Sequence, residues 1–296
     1  MIGGCLLKDL VDPIVDAIKL AVTTIPGGDT VKALKQAYES EESEIARFNL
    51  GNILRAIEIG KSRIVPVCQD TGTLTFFVKA GIGSPYLGEI ERAIIEATRR
   101  ATLEIPLRPN AVDVLTGRNS GDNTGKGVPV IRWELVEGSD VEIAVLPPKG
   151  GGSENCSALA MLTPAQGWEG VKRFVLERVT ECGGKPCPPI ILGIGVGGGG
   201  ADYSLTLAKK ALLRKVGERN PDERIAELEE ELLTEVNSLG GVGPMGMGGK
   251  TTTLDVKIEV AHRHPASFPV GLVVQCWANR RAILRIKPNG RVEVWQ

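Results

Sequence analysis

The chain has 296 residues and a mass of 31.5 kDa, and its 35 Lys and Arg residues are balanced by 36 Asp and Glu residues, which gives a net charge of −1. This balance excludes a protein that binds nucleic acid or anionic lipid through a strongly basic overall charge. A hydrophobic fraction of 42% is typical of globular proteins and excludes the disordered and fibrous classes. Two counts are unusual, namely 37 glycines, and 6 cysteines beside 2 histidines.

The sequence contains no long apolar run that would span a membrane, and Lys8, Asp9 and Asp12 lie where a signal peptide would have its apolar stretch. We therefore expect a cytoplasmic protein that binds neither membrane nor nucleic acid. Thiols stay reduced in the cytoplasm, so a disulfide framework is not expected. The cysteines are then buried hydrophobic residues, nucleophiles or metal ligands; they are Cys5, Cys68, Cys156, Cys182, Cys187 and Cys276.

The first sixty residues have helical periodicity. Apolar residues recur at helical spacing over Leu10–Val22, Pro26-Gly27-Gly28 interrupts the pattern, and a second amphipathic run covers Glu41–Ile59. Further along, the pattern predicts a strand over Leu74–Lys79 and a helix over Gly88–Leu103.

The rest of the chain mixes strands and helices. Val128–Leu135 and Val141–Leu146 are separated by a turn sequence and predict a β-hairpin. Helices are predicted over 164–182, 203–216 and 221–239, and strands over 189–196, 251–260, 270–274, 282–286 and 292–295. Strict strand–helix alternation is missing, so we predict an α+β fold with a mixed sheet and flanking helices. We expect a single domain over 1–296, in which a helical region, 1–62, packs on a mixed α/β region, 63–296.

Glycines concentrate in three segments, 150–152, 193–200 and 240–249. Glycine lets a backbone N–H approach a ligand closely, so such loops suit the binding of an anion, and ordinary turns are the structural alternative. Gly193-x-Gly195-x-x-Gly198 follows a strand and precedes a helix, as a dinucleotide-binding fingerprint does. The acidic residue expected about twenty positions later would be Glu218, inside a charged stretch, so we do not favour a nucleotide site.

The stretch Cys68–Thr73 places a cysteine beside an amide, a carboxylate and two hydroxyls. Structural cysteines prefer apolar neighbours, so this setting is typical of a thiolate metal ligand with a proton-transferring Asp70 nearby. A turn capped by Asp70 is the structural alternative.

Two more cysteines and one histidine have suggestive surroundings. Cys187 is flanked by prolines, which stiffen the backbone and fix the orientation of the sulfur, and Cys276 follows an apolar run. The two histidines, His262 and His264, lie in one short stretch before that run. We favour His264 as the site residue and interpret His262 as structural.

These motifs, taken in order, resemble one family. They are Cys68-Gln69-Asp70-Thr71-Gly72-Thr73, Lys149-Gly150-Gly151-Gly152-Ser153-Glu154-Asn155, Cys187-Pro188-Pro189 before a glycine-rich turn, and His264 twelve residues before Cys276. The sequence closely resembles the class I fumarate hydratase and L-tartrate dehydratase family over about residues 10–290. It matches the iron–sulfur half of those enzymes, which in some organisms is a separate α subunit.

The resemblance implies a [4Fe–4S] cluster held by Cys68, Cys187 and Cys276. A cluster with three thiolate ligands leaves one iron open to bind a substrate oxygen as a Lewis acid. Dehydration of a 2-hydroxy acid needs such an acid, because hydroxide is a poor leaving group unless iron or a proton takes its charge.

The resemblance also implies roles for individual residues. Asp70 corresponds to a proton donor or shuttle near the leaving hydroxyl, and Gln69 orders the edge of the cluster. Arg108 is similar to an arginine that faces a substrate carboxylate, for which a planar fork is suited; a solvated surface arginine is the alternative. Gly151 would offer its backbone N–H to a carboxylate oxygen, and His264 would hydrogen-bond the substrate or the ligand of the open iron.

Family members with both halves on one chain continue into a further domain, whereas this sequence stops at Gln296. We therefore expect a separate β subunit, an α₂β₂ assembly by analogy, and a small dicarboxylate as substrate. The expected reaction is the interconversion of fumarate and (S)-malate, and L-tartrate dehydration is the close alternative.

Two other functions stay open. A non-catalytic iron–sulfur carrier would have four protein thiolate ligands, with Cys156 or Cys182 supplying the fourth. A nucleotide-binding oxidoreductase would bind NAD through Gly193–Gly198.

Overall fold

The computed structural model describes residues 3–23, 28–105, 107–146 and 150–296, without the side chains of residues 3–8 and 23. Of the predicted helix break, Pro26 and Gly27 lie outside the described residues. The chain forms two compact units, the first made of Met1–Gly27, Ile59–Pro148 and Arg280–Gln296, and the second of Gly28–Glu58 and Lys149–Asn279. Across the described ranges, no helix combines the length and apolar character needed to cross a membrane.

Eight helices and nine strands are described. The helices are α1 (Gly3–Thr23), α2 (Gly28–Ser40), α3 (Glu44–Arg63), α4 (Ile90–Glu104), α5 (Gly151–Glu154), α6 (Gly167–Cys182), α7 (Ala201–Ala211) and α8 (Glu223–Ser238). The strands are β1 (Thr75–Gly81), β2 (Val130–Val136), β3 (Val141–Leu146), β4 (Ala158–Leu162), β5 (Ile190–Gly198), β6 (Thr253–Arg263), β7 (Phe268–Gln275), β8 (Ala282–Ile286) and β9 (Val292–Trp295). The predicted α+β class is confirmed, and the single-domain organisation stays a prediction.

The first unit is built on a mixed five-stranded sheet of order β2-β1-β3-β8-β9. Its core joins the inner face of the sheet to α1 and α4, which pack on each other. In α1, Ile14 and Ile18 are fully buried at helical spacing, and in α4 the small side chains of Ala93 and Ala97 are fully buried. Small residues at such a contact let two helices approach closely.

The predicted hairpin of β2 and β3 is wrong. β1 lies between these strands, parallel to β2 and antiparallel to β3. The predicted turn packs instead against the end of β1, where the N–H groups of Gly81 and Gly83 donate to the carbonyls of Asp140 (2.8 Å) and Gly138 (2.9 Å). Local composition identified both strands, but β1, the strand that pairs with each of them, comes from an earlier part of the chain.

The second unit contains a mixed four-stranded sheet of order β4-β7-β5-β6, so the one mixed sheet predicted is in fact two. All nine residues of β5 are buried, because helices cover both faces of the sheet. Leu192 and Ile194 point to one face and share a core with α6 and α8. Ile191, on the alternate face, packs with Ala208 and Leu212 near α7.

The glycines that resemble a nucleotide-binding fingerprint allow a helix to pack closely on a strand. Gly193 and Gly195 lie within β5, where a Cβ atom would stand 2.2 Å from the carbonyl oxygen of Ala208 and 2.0 Å from that of Ser204. The backbone of α7 therefore rests directly on the strand. This contact accounts for the glycine pattern without a nucleotide.

Candidate functional site

Cys187 and Cys276 lie at the same edge of the four-stranded sheet. β5 and β7 are antiparallel, with Ile191 opposite Gln275, so the residues before β5 meet the residues after β7. The N–H of Trp277 donates to the carbonyl of Cys187 over 3.5 Å. Cys187 is exposed and Cys276 is half-buried. The topology thus brings together two of the three predicted metal ligands.

A tight turn presents Cys187 to solvent. Its φ of 55° lies in the left-handed region, which is uncommon for a residue other than glycine. The N–H of Cys187 donates to the carbonyl of Gly184 over 3.1 Å. α5 packs on this turn, because a Cβ atom on Gly152 would stand 2.3 Å from the carbonyl oxygen of Lys185. A Cβ atom on the neighbouring Gly151 would meet nothing within 4 Å, so the position its side chain would take is open space.

The stretch Cys68–Thr73 belongs to the first unit and contacts the segment that carries Arg108. Oδ1 of Asp70 accepts hydrogen bonds from the backbone N–H two residues later (3.0 Å) and from the side-chain amide of Asn110 (3.3 Å). The hydroxyl of Thr71 accepts from the N–H of Arg108 over 3.0 Å. Asp70 therefore caps a turn, and its hydrogen bond from Asn110 holds its carboxyl group beside a second segment of the chain.

The exposed side chains at this stretch are those of Gln69 and Arg108, whereas Cys68 and Asp70 are half-buried. Behind them lies Arg280, which is 3% exposed and donates to the carbonyl of Asp70 over 3.5 Å. Sequence reasoning missed Arg280 and Asn110. The polar run after Cys276 and the position of Asn110 beside Arg108 were the available signals.

His264 lies at the opposite end of β7 from Cys276, in the turn between β6 and β7. An eight-residue strand separates the two residues, which at roughly 3.4 Å per residue corresponds to about 25 Å. Nδ1 of His264 accepts from the N–H of Ala266 over 3.1 Å, so the proton of the neutral ring is on Nε2, and the residue is exposed. The chain therefore does not bring its own His264 to its own Cys187 and Cys276.

Cys156 and Cys182 are buried in the core of the second unit. The thiol of Cys182 donates to the carbonyl of Cys156 over 3.9 Å. Burial, with a contribution from Cys182, raises the pKa of the Cys156 thiol to about 12, so this thiol is protonated at neutral pH. A metal ligand must be a thiolate, and these two cysteines instead behave as small core residues.

The accessible thiols fit an iron–sulfur group by their chemistry. Cys68, Cys187 and Cys276 are reduced and reach the surface at least in part, and soft thiolate ligands are those that iron–sulfur clusters use. Within the described ranges, no three His, Cys, Asp or Glu side chains converge tightly enough to hold a single metal ion. Cys187 and Cys276 belong to the second unit and Cys68 to the first.

Comparison with known proteins gives a consistent result. A family profile described as fumarate hydratase (Fumerase) matches residues 11–285. The chain is 50% identical over 284 residues to a putative L(+)-tartrate dehydratase subunit alpha of Methanocaldococcus jannaschii, which covers 95% of this chain and 99% of that protein. It is 37% identical over 270 residues to the L(+)-tartrate dehydratase subunit alpha of Escherichia coli K12, covering 90% of this chain and 87% of that protein.

Proposed function

The chain belongs to the fumarate hydratase (Fumerase) family, and from this premise we propose that it is the α subunit of a [4Fe–4S]-dependent hydro-lyase that interconverts fumarate and (S)-malate. The observation that carries the proposal is the meeting of Cys187 and Cys276 at one sheet edge. The names of the relatives, which are alpha subunits matched over most of their length, support the assignment to a subunit.

We propose Cys68, Cys187 and Cys276 as the ligands of the cluster. The partial exposure of all three thiols supports this choice, and the buried, protonated Cys156 argues against a fourth ligand from the second unit. When bound, a cluster with three protein ligands supplies a Lewis acid that assists departure of the hydroxyl group.

The residues of this chain then bind the dicarboxylate and move a proton. The carboxyl group of Asp70, oriented by its two hydrogen bonds to Oδ1, gives a proton to the departing hydroxyl oxygen. The exposed guanidinium of Arg108 binds one substrate carboxylate through its planar fork. The backbone N–H of Gly151 donates to a carboxylate oxygen, and Gln69 contacts the substrate beside Cys68.

L-tartrate dehydration is the second candidate, because the relatives cited above carry that name. (S)-Malate and L-tartrate are both C4 dicarboxylates that lose a hydroxyl group, so the same residues serve either reaction. Discrimination depends on groups that contact the remaining substituents, and we expect some of these on the partner subunit.

The proposed partners are a separate β subunit and, in an α₂β₂ assembly, a second copy of this chain. We propose that this assembly acts in the cytoplasm. The position of His264, about 25 Å along β7 from Cys276, supports a role for this histidine in the site of another copy rather than in its own. A preorganised Nε2–H at an exposed turn suits such a contribution.

Steady-state kinetics of the anaerobically reconstituted α–β complex would test the main proposal. We expect turnover of fumarate and (S)-malate, and turnover of tartrate alone would replace this function by the second candidate. EPR after mild oxidation addresses the carrier alternative, because an open iron is lost readily to give a [3Fe–4S] form. A cluster that resists this loss would favour the carrier.

Complementation between two variants would test the proposed role of His264. His264→Asn and Cys187→Ser subunits should each be inactive with the β subunit. Random pairing of the two variants in a two-fold assembly should restore roughly a quarter of the wild-type activity, since half of the pairs are hybrids with one intact site. Full activity of His264→Asn alone, or no recovery on mixing, would show that the histidine does not act between copies.

A further inference from the structure

The glycine-rich loop 240–250 packs directly on the turn that carries Cys187. A Cβ atom on Gly246 would stand 2.6 Å from Cα of Gly184, so the two backbones are in contact. Gly184 in turn accepts the hydrogen bond from the N–H of Cys187 (3.1 Å), and the N–H of Met245 donates to the carbonyl of Pro188 (2.8 Å). The loop therefore contacts the chain on both sides of Cys187.

The loop is itself tightly folded. A Cβ atom on Gly243 would stand 1.9 Å from the carbonyl oxygen of Gly248, and the N–H of Gly248 donates to the carbonyl of Val242 over 2.9 Å. The N–H of Gly243 donates to the hydroxyl of Thr252, a fully buried residue just before β6, over 3.1 Å. Such a tightly packed loop is rigid, so it constrains the turn that it contacts and does not adapt to it.

A buried carboxylate fixes the far end of the loop. Glu41, which is 0% exposed, accepts hydrogen bonds at Oε1 from the N–H groups of Glu42 and Ser43, both at 3.0 Å. Its Oε2 accepts from the N–H of Lys250 at 2.9 Å. The junction of α2 and α3 thus anchors the loop, and a Cβ atom on Gly249 would stand 2.8 Å from the same Oε2.

We infer that Gly246, with Gly184 opposite it, is a positioning residue that holds Cys187 in its left-handed turn. The inference rests on the proposed function, in which Cys187 is a cluster ligand. A non-glycine residue at φ 55° persists where its surroundings impose the conformation, and the backbone contact at Gly246 supplies that constraint on one side while Gly152 supplies it on the other.

Amide hydrogen exchange of the cluster-free chain provides the first test. Gly246→Ala and Gly184→Ala each push a methyl group into the contact, and the second substitution has no left-handed φ to strain. Gly248→Ala is the matched control, because Gly248 has φ 77° against 74° for Gly246 but no atom within 4 Å of its Cβ position. We expect faster exchange in the 184–188 turn in both test variants and not in the control.

Iron retention in the reconstituted chain provides the second test. Loss of an outer contact that orients a metal ligand typically weakens metal binding about 10-fold or more, so a chelator should remove iron from Gly246→Ala at least about 10-fold faster than from Gly248→Ala, at similar melting temperatures. Unchanged exchange and unchanged iron retention in both test variants would overturn the inference. Failure of the wild-type chain to take up a cluster would sink the proposed function, while the exchange result would still decide the role of the loop.

Discussion

Asn110 is the residue through which the proposed chemistry at Asp70 can be tested with a calculable effect. Its side-chain amide donates to Oδ1 of Asp70 over 3.3 Å and to the carbonyl of Gly72 over 2.8 Å. In the proposed mechanism Asp70 gives up a proton, so its carboxyl group is neutral before the step; a hydrogen bond between neutral groups contributes about 0.5–1.5 kcal/mol, and since a 3.3 Å bond is long, about 1 kcal/mol is the upper limit here. Because about 1.4 kcal/mol corresponds to tenfold in rate, about 1 kcal/mol corresponds to about fivefold, and Asn110→Ala should lower kcat by up to about fivefold.

The assay is malate dehydration by the reconstituted α–β complex, followed by the ultraviolet absorbance of fumarate. Asn110 orients a proton donor and is not expected to bind substrate, so KM should change little. Asn119→Ala is the matched control, since this amide donates to the carbonyl of Pro109 over 3.0 Å in the same loop without reaching Asp70. Equal losses of kcat in the two variants, or a rise in KM at unchanged kcat for Asn110→Ala, would refute the reasoning.

Two further predictions concern stability. Glu229 is fully buried, pairs with Arg214 and accepts from the buried N–H groups of Asn220 and Ile258, so Glu229→Ala should cost about 3–5 kcal/mol by removing the acceptor of these donors. The same substitution at exposed Glu230 should cost less than about 1 kcal/mol. Urea unfolding midpoints compare them, and similar values would contradict this account. Gly195→Ala places a methyl group against α7 and should lower stability by about 1–3 kcal/mol or more, whereas Gly199→Ala, with open space, should not. NAD should not bind the wild-type chain, and saturable binding in a titration would restore the nucleotide alternative.

Much of the secondary structure followed from local pattern, and the errors have a common cause. The strands β2 and β3 were identified by composition, but their pairing depends on β1, which inserts between them. α2 lies within the predicted helical region 1–62, but it was not predicted as a separate helix. It buries little more than Thr30, Leu34 and Ala37, so its apolar stripe is thin and the periodicity signal is weak.

The candidate site divides in the same way. The motifs identified Cys187 and Cys276, yet it is the antiparallel register of β5 and β7 that makes them neighbours. His264 seemed close to Cys276 because twelve residues separate them, but most of those residues form one extended strand. Asn110 orients Asp70 through a hydrogen bond between two separate chain segments, and local sequence patterns do not reveal such a contact.

Exposure divides the described cysteines into two groups, which their spacing in the sequence did not do. Of the described thiols, Cys156 and Cys182 are buried and Cys68, Cys187 and Cys276 are not. A cysteine that binds iron must lose its thiol proton and be accessible to the metal, and burial in an apolar core opposes both. The same partition argues against the carrier alternative, since a fourth ligand from this chain would have to come from the buried pair or from Cys5, whose side chain lies outside the described residues. Three cysteines that are not buried match the number of protein ligands that the proposed cluster with an open iron would take.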